Sequence, residues 1–443
     1  MNCSHAERIP SPRFSLELVP RQCRLQEYRP LEMPSFQLDG EFIAYASPES
    51  TYAVTRRLMD GATRSILIGI YDFTAAHVRD TLIAAMRRGV RVSLMLDLDG
   101  RKGESEVWEK LLRAGVEGVP APSCASDHAR YFPSCHEKVI VIDDTWTLVQ
   151  SGNYSDASIP RNEKDGGDPD DPHSFVPGNR DMGIAIRSEP LAAFFTQVLR
   201  SDMQLELDAA AIELLQEERA APVEGLLEAA RPPRQPPALF PSRLFRPRRP
   251  VEVVPVLSPD NYMEVIPDFL ASASHSIYIE QQYIRGHQPE IGRLLAAIRA
   301  ARERNRRLNV RIVLAQPYSS DVDQERRSLE KLEEFGLRLG NQIRFLNPRY
   351  FVHCHNKLII VDQRAVLVSS QNWSDFAVSK NREAGLLIRY SPLARYYASI
   401  FRVDWETGLR TLPGPEELPF LAGREAMAAG DVLPVSLGDY VEV

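Results

Sequence analysis

The sequence contains few cysteines and no long apolar run. Five cysteines occur in 443 residues, and no two have the close Cys-x-x-Cys spacing of a zinc or redox site. We therefore expect reduced thiols rather than a disulfide framework. No apolar stretch approaches the roughly 20 residues of a membrane-spanning helix, and the first residues lack the basic start and apolar core of a signal peptide. A cytoplasmic protein is expected, with peripheral contact to a membrane left open.

An excess of positive charge is also absent. The 53 lysines and arginines are outnumbered by 60 aspartates and glutamates, which gives a net charge of −7. No overall basic field would attract nucleic acid or anionic lipid, so any such affinity needs a local basic patch. The 44% hydrophobic and 26% charged fractions are ordinary for a globular protein, and the length predicts about two or three domains.

What the sequence does contain is one motif in two copies. Cys135–Asp143 reads Cys-His-Glu-Lys-Val-Ile-Val-Ile-Asp, and Cys354–Asp362 reads Cys-His-Asn-Lys-Leu-Ile-Ile-Val-Asp. Residues two apart in a strand share a face, so we expect the histidine and lysine side by side and the cysteine on the other face. A Ser-x-Asn element follows each copy at the same distance, with Ser151 and Asn153 in the first and Ser370 and Asn372 in the second.

This doubled His-x-Lys-x4-Asp pattern resembles the phospholipase D superfamily, which includes phospholipases, phospholipid synthases of the cardiolipin type and nucleases. One copy would be weak, because polar and apolar residues alternate in any half-buried strand, but two copies with matching downstream spacing are a specific signal. The resemblance covers about residues 40–200 and 250–405. It implies an α/β fold in which two tandem repeats form a helix-sheet-helix sandwich with a pseudo-twofold axis. Both halves of the site are then in one chain, so a monomer suffices.

The repeated residues fit the chemistry of a phosphodiester. Such a group is anionic and gains charge on the way to its transition state, so it needs cations and hydrogen-bond donors around its oxygens. Candidate phosphate-binding residues are the lysines, Lys138 and Lys357, and the amides Asn153 and Asn372. Ser151 and Ser370 are further candidates, which either bind an oxygen or hold the turn. This set performs the electrostatic work without a metal or a cofactor.

The two histidines supply the remaining catalytic groups. In the superfamily one histidine attacks phosphorus and forms a phosphohistidine, and the other protonates the departing alcohol and then activates water. The resemblance to two-repeat phospholipases implies His136 as the nucleophile and His355 as acid and base. The sequence alone does not distinguish the two roles.

Each imidazole also needs a partner that fixes its tautomer. The matching segments Asn179–Gly183 and Asn381–Gly385 supply the candidate carboxylates Asp181 and Glu383. Asp181 lies farther from its motif than Glu383 does, because an acidic, Gly- and Pro-rich loop at 163–173 intervenes, so Glu163 is kept as a fallback. We interpret this loop as a solvated insertion, with a lid or a cation-binding loop as the alternative.

Asp143 and Asp362 end the two motif strands. Aspartates at such positions accept hydrogen bonds from nearby backbone and hold turns. We therefore interpret them as structural members of the motif.

The predicted elements repeat in the same order in both halves. Strand, helix and strand at 65–71, 74–88 and 90–97 recur at 276–283, 291–304 and 310–315, which predicts parallel strands joined by right-handed crossovers. We divide the chain into an irregular N-terminal extension (1–38), a first repeat (39–200), a helical segment and Pro/Arg-rich linker (201–250), a second repeat (251–410) and a C-terminal tail (411–443).

The substrate is the least determined property. Glu280–Tyr283 is similar to an element of lipid-acting members, whereas Tyr71–Thr74 and the turn at 88–90 look like the compact endonucleases. The leading hypothesis is a phosphodiesterase that cleaves or transfers phosphatidyl groups of phospholipids. The alternatives are a metal-independent endonuclease acting on nucleic acid and a noncatalytic phosphate-binding module, against which the intact paired motifs count.

Overall fold

Two eight-stranded sheets organise the chain. The computed structural model describes residues 25–98, 103–126, 128–166, 175–213, 227–228, 233–317, 322–412 and 420–421. The strands up to the linker are β1 (Phe36–Leu38), β2 (Phe42–Ser47), β3 (Ser65–Ile70), β4 (Arg91–Leu96), β5 (Glu117–Pro120), β6 (Lys138–Ile142), β7 (Trp146–Gln150) and β8 (Asp181–Arg187). The helices are α1 (Thr51–Asp60), α2 (Ala76–Arg87), α3 (Glu104–Ala114) and α4 (Glu189–Glu213).

The rest of the chain repeats this plan. Its strands are β9 (Leu227–Glu228), β10 (Arg243–Phe245), β11 (Val251–Ser258), β12 (Ser276–Gln281), β13 (Asn309–Leu314), β14 (Ile343–Phe345), β15 (Leu358–Val361), β16 (Ala365–Ser369), β17 (Glu383–Ile388) and β18 (Phe420–Leu421). Its helices are α5 (Tyr262–Ala271), α6 (Pro289–Arg304), α7 (Val322–Glu334), α8 (Asp375–Ser379) and α9 (Ser391–Thr407). A short pair, β9 with β18, lies apart from the two large sheets.

The two large sheets have the same strand order. The first runs β10-β2-β8-β7-β6-β3-β4-β5 and the second β1-β11-β17-β16-β15-β12-β13-β14. In both, three neighbouring strands are parallel and joined by helices, and the others are antiparallel. The predicted architecture of two tandem α/β repeats is therefore confirmed.

The outermost strands are exchanged between the halves. Phe36–Leu38, at the start of the chain, pairs with β11 of the second sheet. Arg243–Phe245, in the Pro/Arg-rich linker, pairs with β2 of the first sheet. The extension and the linker thus contain strands where none was predicted, because three-residue edge strands carry too little periodicity to be recognised.

Three apolar clusters hold the layers together. One lies between the first sheet and α1–α3, and a second between the second sheet and α5–α7. The third joins the halves, because it contains residues of both sheets together with α4 and α9. Residues from the two motifs face this shared cluster, for example Val139 and Leu358, which are at most 1% exposed. The motifs are therefore at the contact between the repeats.

The cysteines differ in part from expectation. Cys135 and Cys354 are free and buried, and burial raises the pKa of each thiol well above its usual value. Cys124, by contrast, is disulfide-bonded, so the expectation of five reduced thiols is wrong. A disulfide needs only two cysteines close in space, which neither an odd count nor wide spacing excludes.

Among the described residues, no helix combines the length and apolar character needed to cross a bilayer. Residues 167–173 of the predicted acidic loop lie outside the described residues. Across the described part of the chain, no group of three or more His, Cys, Asp or Glu side chains is arranged to hold a metal ion.

Candidate active site

The two motifs are anchored to each other's repeat through the backbone. The His136 N–H donates to the carbonyl of Arg382 at 2.7 Å, and the His355 N–H donates to the carbonyl of Arg180 at 3.0 Å. Regular strand pairing begins only at Lys138 and Leu358. The prediction that each histidine is part of the regular strand is therefore wrong, because the backbone of each histidine, two residues before the lysine, pairs with the opposite repeat.

This crossing brings the predicted carboxylates to the histidines of the other half. His136 Nδ1 is 2.9 Å from Glu383 Oε2, and His355 Nδ1 is 3.0 Å from Asp181 Oδ1. The histidines are 2% and 5% exposed, and the carboxylates at most 1%. Each motif therefore depends on a carboxylate that lies in the opposite repeat, whereas the spacing argument compared each carboxylate with the motif of its own repeat.

The two imidazole rings lie close to each other. Their centroids are 6.4 Å apart and their planes are inclined by 64°. Because the carboxylate takes Nδ1 of each ring, Nε2 is the nitrogen that a substrate would meet.

The serines hold the carboxylates. Ser151 Oγ donates to Asp181 Oδ1 at 2.8 Å, and Ser370 Oγ donates to Glu383 Oε2 at 2.5 Å. Each Oγ also accepts from the backbone N–H that follows the carboxylate residue, at 3.0 Å. Of the two roles left open for the serines, these contacts match holding the turn rather than binding a phosphate oxygen.

Electrostatics keep Asp181 ionised. Burial alone would raise the pKa of its carboxyl, but the charge and hydrogen bond of His355, the Lys357 ammonium and the Ser151 hydroxyl together hold that pKa below its usual range. An ionised carboxylate stabilises a protonated imidazole beside it. The Asp181 carboxylate therefore faces His355 Nδ1 as a charged hydrogen-bond acceptor.

The lysines lie beneath the histidines. Lys138 and Lys357 are 1% and 0% exposed. Lys138 Nζ donates to the His136 carbonyl at 2.5 Å, and Lys357 Nζ donates to the His355 carbonyl at 2.7 Å. The ring of Tyr71 adds a cation–π contact, since its centroid lies 5.2 Å from Lys138 Nζ.

Asn153 and Asn372 are the remaining candidate phosphate-binding residues. Asn153 and Asn372 are 6% and 2% exposed, and their side-chain oxygens are buried without a hydrogen-bond partner among the described residues. A buried carbonyl oxygen without a partner is costly and needs a donor, so these two oxygens are suited to a ligand O–H or N–H, whereas a phosphate oxygen would need the Nδ2 group of each side chain. Asn372 lines the same narrow cavity as His136.

Six further residues that line this cavity were not assigned from the sequence, and three of them are large or polar residues near the motifs. Tyr71 lies edge-on to His136, with ring centroids 4.5 Å apart, and Tyr283 and Asn381 also line the space. Both tyrosines occur in segments that carried the family resemblance, and Asn381 begins the segment that contains Glu383. Their position near the motifs was therefore a usable signal, although the contact of Tyr71 with His136 was not predictable.

The other sequence candidates lie outside the histidine pair. Glu163 is exposed and forms ion pairs with Arg161 and Arg56, at 3.0 and 3.3 Å, so the fallback assignment is wrong. Asp143 accepts hydrogen bonds from three successive backbone N–H groups at 63–65, and Asp362 from those at 274–276. Both aspartates have φ of 53°, a left-handed turn that Asp tolerates well.

A buried arginine directly precedes each of the two carboxylate residues and forms ion pairs of its own. Arg180, directly before Asp181, forms ion pairs with Glu49 at 2.8 Å and with Asp404 of α9 at 2.9 Å. Burial would lower the pKa of its guanidinium, but these carboxylates raise it, so it stays charged.

Arg382, directly before Glu383, repeats the arrangement. It pairs with Asp260 at 2.6 Å and with Asp202 of α4 at 2.8 Å. The Tyr28 hydroxyl accepts a further hydrogen bond from it, at 2.7 Å. In each network one carboxylate comes from the opposite repeat, so the networks fix the two halves relative to each other at the site.

The residue between each histidine and lysine differs between the motifs. Asn356 donates to Glu280 Oε2 at 2.5 Å. Its counterpart, Glu137, is 2% exposed, and burial together with the charge of Asp202 raises its pKa to about 8. Glu137 is therefore protonated at neutral pH.

Comparisons with known proteins show the family of the chain. The family described as cardiolipin synthase, PLD-like domain, matches residues 55–166 and 266–405, which together cover more than half of the chain. A phospholipase D from Rickettsia felis is 31% identical over 108 residues, or 24% of this chain and 48% of that protein. The chain thus spans about half the length of this curated relative.

A solved structure extends the likeness over most of the chain. The crystal structure of phosphatidylserine synthase from Haemophilus influenzae has a TM-score of 0.55 at 13% sequence identity, and the alignment covers 86% of this chain and 90% of that one. At this identity the likeness shows the fold alone. Because both halves match the family, this chain belongs to the phospholipase D superfamily, in the family of cardiolipin synthase-like PLD domains.

Proposed function

We propose that this protein is a phosphodiesterase that cleaves or transfers the phosphatidyl group of phospholipids through a phosphohistidine. The observation that carries the proposal is the pair of imidazoles, 6.4 Å apart, each with a buried carboxylate on Nδ1. The preference for lipid rests on the curated relative, a phospholipase D, and on the matched family, which is described as cardiolipin synthase, PLD-like domain.

In the first step, His136 Nε2 attacks phosphorus. A P–N bond forms, the P–O bond to the head-group alcohol breaks, and His355 donates its proton to the leaving oxygen. The low pKa of Asp181 supports this division of roles, because an ionised partner favours the protonated form of His355. Lys138 and Lys357 stabilise the charge that develops on the phosphoryl oxygens.

In the second step, the now neutral His355 takes a proton from water or from an acceptor alcohol. That oxygen attacks phosphorus, the P–N bond breaks, and His136 and the protonated His355 are regenerated. Water gives hydrolysis and an alcohol gives transfer, so both outcomes use the same residues. All of these residues come from one chain, and we propose that a monomer is sufficient.

The proposal is tested by turnover of the purified chain in EDTA. Mixed phospholipid vesicles and single- and double-stranded nucleic acid are offered in parallel, and His136→Ala and His355→Ala are compared with His275→Ala. His275 is the matched control, because its side chain is 73% exposed and contacts Asp362 rather than the site.

Head-group release that is lost in the first two variants and kept in His275→Ala is the expected result. Cleavage of nucleic acid alone with the same mutant pattern would replace lipid by nucleic acid and keep the two-histidine chemistry. Equal activity of all three variants would refute the site itself.

A further inference from the structure

A basic cavity lies in the second repeat, away from the histidines. It has a volume of about 290 Å³, and its lining includes Arg302, Arg311, Arg344, Gln342 and the indole of Trp405. These residues occupy the end of α6, the beginnings of β13 and β14 and the end of α9. The motif histidines lie at the other end of the sheet, since β15 begins opposite Glu280 near the end of β12.

The guanidinium groups are held in place by neutral partners. Arg344 Nη1 donates to the Trp405 carbonyl at 2.5 Å, and Arg302 Nη1 donates to the carbonyls of Phe335 and Gly336 at 3.2 and 2.9 Å. The guanidinium carbons of Arg344 and Arg311 lie 4.2 and 5.3 Å from the Trp405 ring centroid. A fixed guanidinium loses little entropy when it binds an anion.

Carboxylates do not neutralise this cluster by direct pairing. Within the described part of the chain, none of the three arginines is within ion-pair distance of an acidic side chain. Burial, followed by the charges of Arg410 and Arg311, lowers the pKa of Arg344, and the exposed Glu406 offsets this only in part. Arg344 is 9% exposed, so a concentrated positive charge lies in a partly buried space.

The equivalent positions in the first repeat carry no such arginine cluster. The strand registers make Ser93 the counterpart of Arg311 and Glu117 the counterpart of Gln342. There the Glu117 carboxylate accepts a hydrogen bond from Ser93 and pairs with Arg200 at 2.9 Å. The first repeat thus neutralises its own cation, whereas the second has an amide where the carboxylate would be and an additional arginine.

We propose that this cavity is a second anion site, which binds a phosphomonoester or diphosphate group independently of the histidine pair. Arginine forks match phosphate oxygens in two-point contacts, and the Gln342 and Asn341 amides line the same space. Two sources of such a group share this chemistry, a free phosphate compound and the head group of an anionic lipid. The proposal goes beyond the phosphodiesterase function and does not depend on it.

The first measurement is calorimetric titration of the full chain with inorganic diphosphate. Arg311→Gln is the test variant and Arg302→Gln the second, in case the first alters folding as judged by its melting temperature. Arg306→Gln is the matched control, because Arg306 is exposed in the adjoining loop, carries the same charge and does not line the cavity. We expect saturable binding that becomes about tenfold weaker or more in either test variant, as for the loss of one charge-assisted contact, and that changes less than about twofold in the control.

The second measurement separates the two sources. Flotation with phosphatidylcholine vesicles, with and without phosphatidic acid, is carried out in the His136→Ala background so that lipid is not turned over. Binding that depends on phosphatidic acid and on Arg311 or Arg302 would assign the site to a lipid head group, and diphosphate binding alone would assign it to a free phosphate compound. Absence of both, or binding that is unchanged in both test variants or equally weakened in Arg306→Gln, would overturn the proposal.

Discussion

In the proposed mechanism the two carboxylates assist histidines with different roles, so replacing each of them by its neutral isostere should affect the reaction differently. Asp181→Asn keeps the shape of the side chain beside His355 but removes its charge, and Glu383→Gln does the same beside His136. Each change replaces one charge-assisted, fully buried hydrogen bond, at 3.0 and 2.9 Å respectively. Such bonds contribute about 1.5–3 kcal/mol, which corresponds to a rate loss of roughly 10- to 150-fold.

The assay compares two diesters with each variant. One diester has an alkyl leaving group and the other a 4-nitrophenyl leaving group, which departs without needing a proton. If His355 is the general acid, Asp181→Asn should lose the predicted factor on the alkyl diester and much less on the nitrophenyl diester. Glu383→Gln, which acts on the nucleophile, should lose a similar factor on both.

Glu163→Gln is the control for this comparison. It makes the same chemical change at a carboxylate that is exposed and remote from the histidines, so its rate should stay within about twofold of the parent. Wild-type rates in Asp181→Asn would refute the coupling between the repeats. A leaving-group effect seen with Glu383→Gln instead would exchange the roles of His136 and His355.

Three stability predictions follow from the buried charges around the site. Burial raises the pKa of Glu137 to about 8 against about 4.3 in an unfolded chain, so its contribution to stability is lost as pH rises through this window. In urea unfolding, the free energy of unfolding of Glu137→Gln should therefore rise relative to that of the parent by up to about 1.4 kcal/mol per pH unit between pH 5 and 8. A difference that does not change with pH would contradict this. For Asp362, burial opposes ionisation, but three backbone N–H donors lower the pKa of its carboxyl. Asp362→Asn should lower the free energy of unfolding by about 1–3 kcal/mol at pH 7, and this difference should disappear as pH falls below about 4, where the parent carboxylate protonates. A difference that persists in acid would assign the loss to packing. Arg382→Met leaves two buried carboxylates without their ion-pair partner and should lower the free energy of unfolding by about 3–5 kcal/mol. The control Arg246→Met, at an exposed ion pair, should lower it by less than about 1 kcal/mol. Equal losses for the two variants in denaturant unfolding would show that the buried network is not stabilising.

The sequence predicted the elements of the fold well where periodicity was strong. The helix at 104–114 and the strands near 65–70 and 276–281 agree with the structure to within a few residues. The exchanged edge strands were missed, because their pairing is decided by the packing of the two repeats rather than by local pattern. The same reason explains Glu163, whose proximity to its motif along the chain has no counterpart in space.

The sequence predicted the types of residue at the candidate site but not which carboxylate contacts which histidine. Residue types and spacing predicted the histidines and carboxylates that the structure brings into contact, and their catalytic roles stay a prediction. Which carboxylate serves which histidine depends on the short parallel contacts of Cys135 with Arg382 and of Cys354 with Arg180, and these join residues more than 170 positions apart. No local pattern encodes such a contact.

The crossed arrangement couples the geometry of each motif to the packing of the opposite repeat. Asp181 orients His355 while its neighbour Arg180 is held by Asp404 of the opposite repeat. Glu383 orients His136 while its neighbour Arg382 is held by Asp202. A shift of one repeat against the other would therefore disturb two imidazoles and two buried ion pairs together, with the cost of unpaired buried charge on each side. The stability of the contact between the repeats and the geometry of the histidine pair are consequently the same property of this chain, and variants that loosen that contact should lose activity before they lose secondary structure.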